Sequence, residues 1–212
     1  MKNTRFWQFG WVLAAAVIGV ALAGGFQASE IKLGTVDIVK MLNKSDYGLA
    51  GQLTIKKMKT AREGVLEFID TYRVLTTEQA QRIRELSLKD NPTKEETAEL
   101  DRIKADVQAA NKRSVELATK PNMTPDERLL VEEYARRSQT MNDVEQRWFR
   151  AFMTEMNDYA DQRKLAGLER ARAAINEVAK AQGFTIVLDE STAPYGVNDI
   201  TDAALAAMNA KK

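Results

Sequence analysis

The chain has 212 residues, 29% of them charged and 7% aromatic, with a formal net charge of +1. That balance suits elongated helices better than a thick globular core, and it excludes a basic nucleic-acid binder. The absence of Cys and His removes thiol nucleophiles, disulfides, the usual zinc sites and the commonest general base. With no phosphate-cradling glycine loop and no nucleophile elbow, the sequence assigns no enzyme activity, cofactor, metal or catalytic residue.

Lys2 and Arg5 precede an apolar run from Phe6 to Ala23, and Ala21-Leu22-Ala23 follows the small-residue cleavage pattern. Residues 1–28 therefore read as a secretory signal peptide, cut after Ala23 or Ala28. The alternative is an uncleaved anchor, because the apolar run nearly matches a bilayer span. Removing residues 1–28 takes away two of the 31 basic residues and none of the 30 acidic ones. The mature chain is then close to neutral, at about −1. In a two-membrane bacterium it would be periplasmic.

Ile31–Val36 alternates weakly and reads as a short strand, after which Asp37 caps a short helix from Ile38 to Asn43. From about Ser45 the pattern is helical for nearly 140 residues, with Ile55, Met58, Val65, Phe68 and Ile69 on one face. Three restarts share one device. Thr76, Thr93 and Thr124 are each followed three residues later by Gln79, Glu96 and Glu127, the spacing of a capping box. The outgoing chain is thus broken near 75 and 91, and its reversal falls near 91 or, with limbs of matched length, near 120. The alternative arrangement is a small bundle at the far end built from 77–89 and 94–119.

Thr124 to Gln182 reads as one unbroken return helix, with Pro125 in its first turn. At ~1.5 Å per residue it would be roughly 85 Å long, too long for a compact domain. Tyr134, Met141 and Trp148 stand seven apart, as do Phe152, Tyr159 and Ala166, and Leu168, Ile175 and Gln182 continue the spacing, supported by Val178. That is a coiled-coil seam with a four-residue stutter. The cluster Trp148, Phe149, Phe152, Met153 and Met156 covers a wider arc than one seam needs. Either Trp148 and Phe152 are core while Phe149 and Met153 pack on the outgoing limb, or part of the arc meets apolar ligands.

Beyond Gly183, a C-cap glycine, Phe184–Asp189 reads as a strand, Ala193-Pro194-Tyr195 as a possible third, and Ala203–Met208 as a final helix. A helical hairpin brings the chain ends together, so the end strands must meet. The expected fold is mainly α: a helical arm over 46–182 on a small β-containing body made of 29–45 and 183–212. A sheet this small is marginal alone, so Ile31, Leu33, Phe184, Ile186 and Leu188 are expected to oligomerise the body.

Ile31-Lys32-Leu33-Gly34-Thr35-Val36-Asp37 at one end, Val178–Asp189 at the other, then Tyr195 and Asn198-Asp199-Ile200-Thr201-Asp202, resemble the Skp (OmpH-like) periplasmic chaperones. The resemblance follows the element order of the whole mature chain and is densest at its ends. It implies a homotrimer with a β-barrel body and coiled-coil arms around a cavity. It further implies an ATP-independent holding chaperone for unfolded outer-membrane proteins, with Phe149, Met153, Met156, Trp148 and Phe152 as candidate client contacts. Two departures from the family pattern are the longer helical region and the near-neutral mature charge. A structural coiled-coil adaptor of an envelope secretion or efflux complex is the competing reading. No nucleic-acid partner is implied, and nothing in the sequence assigns a membrane-surface contact.

Overall fold

The computed structural model describes residues 31–210, so the expected leader over 1–28 lies outside the described residues. Strand β1 (Leu33–Val36) leads into α1 (Ile38–Lys44). Asp37 caps α1 by accepting the Lys40 N–H at 2.7 Å, as expected. A single residue, Ser45, then joins α1 to α2 (Asp46–Thr71), and its fully buried hydroxyl accepts from Gly48 N. The chain continues through α3 (Thr77–Ser87), α4 (Lys94–Ala118), α5 (Pro125–Gln182), β2 (Ile186–Asp189) and α6 (Thr201–Ala210). Among the described residues no helix is long and apolar enough to cross a membrane.

The chain ends do meet. β1 and β2 pair in parallel, with Leu33 opposite Ile186 and Val36 opposite Asp189. Parallel neighbours require a crossover, and here the entire helical excursion supplies it. The third segment differs from expectation. No strand forms at Ala193–Tyr195; instead Thr35 exchanges 2.9 Å hydrogen bonds with Asn198 O and Ile200 N on the free side of β1. Pro194 has no N–H to give a ladder. Below the sheet, Val36, Met41, Ala171, Ala174, Val178, Ile200, Ala204 and Met208 form one buried cluster.

All three capping boxes are present, at Thr76–Gln79, Thr93–Glu96 and Thr124–Glu127. Each restart is nevertheless a reversal, not a mere break. Glu155 on α5 pairs with Arg62 of α2 at 2.8 Å and with Arg84 of α3 at 3.4 Å. Two residues so far apart in sequence reach one carboxylate only if the chain has doubled back between them. It then runs out again. Arg82 of α3 pairs with Glu99 of α4 at 2.6 Å, and Arg113 near the end of α4 meets Glu127 in the first turn of α5 at 2.9 Å. The far-end bundle is therefore the arrangement adopted, and turns at both 91 and 120 are real. Its core joins Val65, Ile69, Leu75, Ile83, Val107, Leu117, Tyr134, Met141 and Phe152.

The return helix is unbroken over 58 residues, from the Thr124 cap to Gly183 at φ +73°. Its buried stripe near the body is Gly167, Ala171, Ala174 and the expected Val178; Ile175 packs at its edge, while Leu168 and Gln182 are not buried. Small side chains let α1 and α6 approach closely, and a Cβ on Gly167 would lie 2.9 Å from Leu42 Cδ2.

At the far turn Glu127 accepts from Lys120 Nζ at 2.7 Å and from the Thr124 N–H at 3.1 Å. Lys120 first, then that N–H, holds its carboxyl down to about 2, from 4.5 in an unstructured chain. A depressed folded value means the contribution is complete above the unfolded value and disappears as pH falls toward 2. Pepsin should therefore cut first within 119–124 at pH 2 and spare that turn at pH 4. Equal resistance at both values would show that the ion pair does not close the turn.

Candidate functional site

Two exposed apolar surfaces stand out, one on the long helix and one on the sheet. The first lies midway along α5, where the aromatic cluster divides by helical phase. Phe152 is buried, and Arg62 and Arg84 lie 5.5 and 5.1 Å from its ring centre. Trp148, half-buried, packs on the same core 6.4 Å from Phe152, with Arg84 over its indole at 5.1 Å. Phe149 and Met153, one turn apart, are 56% and 45% exposed. Met156, half-buried, stands one further turn along. Trp148 and Phe152 are thus core, as one reading expected. Phe149 and Met153 do not pack on the outgoing limb, because α2 and α3 lie on the Trp148–Phe152 side.

The second surface is the outer face of the sheet. Period-2 alternation turns Val187 toward the core and leaves Ile186 and Leu188 outside. Leu33 is the register partner of Ile186 and is exposed with it, as is Ile31. Phe184 behaves differently from the rest of the expected set. It packs against its own chain, close enough that a Cβ on Gly34 would lie 3.0 Å from the ring, and Lys32 Nζ sits 4.3 Å from its centre.

Sequence reasoning gave no role to Val197. Tyr195 and Val197 are 87% and 84% exposed and, with Ile31, Leu33 and Leu188, line a shallow depression of about 680 Å³. Gly196 lets this segment cross tightly over Thr35, whose side chain a Cβ there would overlap. The apolar-Gly-apolar pattern at 195–197 was the available signal. Neither surface gathers a group suited to bond chemistry, and no cluster of acids that could hold a metal occurs among the described residues.

No curated protein and no solved structure matches the chain. The family model of outer membrane protein (OmpH-like) matches residues 32–208, which takes in both strands, the whole helical excursion and α6 as far as Met208. A match of that extent means that the chain belongs to the OmpH-like (Skp) family, a family of non-enzymatic chaperones.

Proposed function

We propose that the protein is an ATP-independent periplasmic holding chaperone that keeps unfolded outer-membrane proteins from aggregating. Residues 46–182 form its arm, 29–45 and 183–212 its body, and three copies join through the body so that the arms enclose a cavity. The carrying observation is the exposed Phe149–Met153 stripe beside the buried Phe152 and half-buried Trp148. A folding core has no use for those two side chains, whereas a surface meeting many different apolar segments does. Unbranched Met and flat aromatic faces adapt to varied partners. Family membership supports the same class of activity and the periplasmic address.

The sheet face supports assembly. Ile31, Leu33, Ile186, Leu188, Tyr195 and Val197 present large apolar groups to water on a sheet too small to be stable alone. Burying that face against other copies would take these groups out of water. Light scattering should return three times the protomer mass, and a strictly monomeric mass would remove the cavity from this account.

The stripe is tested by the double variant Phe149→Ser/Met153→Ser. It should hold a urea-diluted outer-membrane barrel protein in solution markedly less well while keeping its helical circular dichroism and thermal midpoint. Loss of stability together with holding would mean that the stripe is structural after all.

A further inference from the structure

Where α1, α2 and α5 converge, a groove of about 330 Å³ opens between Val39, Leu42, Tyr47, Ile55, Arg163 and Lys164. Its walls are mostly apolar, it contains two cations, and no acidic side chain lines it. The Arg163 guanidinium lies 3.5 Å from the centre of the Tyr47 ring and donates to the Tyr47 carbonyl. A second guanidinium, Arg170, stands 4.5 Å from the same centre.

Two like charges drawn to one ring repel each other, and attraction to the ring offsets only part of that. By contrast, the other guanidiniums that lie over aromatic rings, Arg62, Arg84 and Arg137, each reach a carboxylate. Among the described residues no carboxylate forms an ion pair with Arg163, Lys164 or Arg170, and Arg163 Nε is buried without a hydrogen-bond partner. Gly51 explains that burial: it brings α2 against the guanidinium, and a Cβ there would lie 3.0 Å from Nε. The site is thus built around positive charge that the chain itself leaves uncompensated.

We propose that this groove binds the C-terminal carboxylate of a polypeptide whose last residue is apolar. The guanidinium fork and the Lys164 ammonium answer a single carboxylate. The apolar walls answer one side chain beside it, and the volume lies at the small end of ligand sites, fitting a terminal residue and not a bulky polar headgroup. Capture of a chain end by convergent donors is an established mode of peptide recognition. The inference rests on the holding reading only for the source of such ends, the unfolded clients.

The test needs no client. Fluorescein-labelled Gly-Ser-Gly-Phe is titrated with the purified protein as the free acid and as the C-terminal amide, and binding is read by anisotropy. The amide should bind about tenfold more weakly, the scale of one charge-assisted hydrogen bond. Arg170→Gln and Lys164→Gln should each weaken the acid and leave the amide unchanged. Val39→Glu, which replaces an apolar wall and adds a repelling charge, should weaken both peptides, the acid more than the amide. Equal binding of acid and amide, or unchanged affinity in all three variants, would overturn the assignment. Competition by laurate or by anionic phospholipid vesicles stronger than by unlabelled free-acid peptide would also overturn it, in favour of a lipid ligand. The two proposals are separated by running the aggregation assay on the same variants: failure of peptide binding leaves a positive holding result standing, and the converse.

Discussion

Phe152→Ala should lower the free energy of unfolding by about 3–5 kcal/mol, the range for truncating a buried aromatic. The side chain is 2% exposed and stands where α2, α3 and α5 meet. Beyond the cavity, the substitution removes the ring beneath Arg62 and Arg84, the two guanidiniums that share Glu155. The α3–α4 hairpin is tied to α5 at this level by long side chains, so it should loosen first. Against a typical total of 5–15 kcal/mol, the loss would leave the far bundle marginal. Urea denaturation followed by circular dichroism checks it, with Phe152→Leu as the milder control. A loss under about 1 kcal/mol would show that the ring is not central to the packing. One residue pair then separates two roles, since Phe149→Ser, three positions away, should be nearly neutral for folding.

Gly48→Ala and Gly64→Ala should move stability in opposite directions, although both positions lie in α2. Ala is the better helix former by about 1 kcal/mol, and at Gly64 nothing lies within reach of the added methyl group. There the substitution should stabilise by roughly 0.5–1 kcal/mol. At Gly48 the new Cβ would overlap the Leu42 carbonyl oxygen and lie 2.9 Å from its carbon. Backbone cannot step aside as a flexible side chain can. The clash falls on the corner where Ser45 both ends α1, donating its N–H to Met41 O, and starts α2. About 1–3 kcal/mol should be lost, or more if the corner cannot open. Thermal midpoints of the two variants measure the sign directly. A stabilised Gly48→Ala would mean that the corner is looser than its geometry implies.

How much of this was legible in sequence depends on the range of each interaction. Asp37 and the three Thr caps act within three residues, so spacing alone located the starts of α1, α3, α4 and α5. A capping box says where a helix begins but not which way it points. The reversals became visible only through Glu155, which meets partners 93 and 71 positions away. The stripe on α5 near the body was misplaced by one position because large apolar residues attract notice. The buried positions there are Gly167, Ala171 and Ala174, chosen for small size. Of the client-contact set, helical phase predicted a wide arc. Which half of it α2 and α3 would cover was not local information. The Tyr47–Arg163 contact spans 116 positions and left no mark in the sequence.

The central claim is tested most directly by diluting several urea-unfolded outer-membrane barrel proteins into buffer with the purified protein in molar excess and no ATP, and recording turbidity. The account predicts that each client stays soluble and that Phe149→Ser/Met153→Ser lets it aggregate. Unhindered aggregation of every client in the presence of the folded wild-type protein would contradict it.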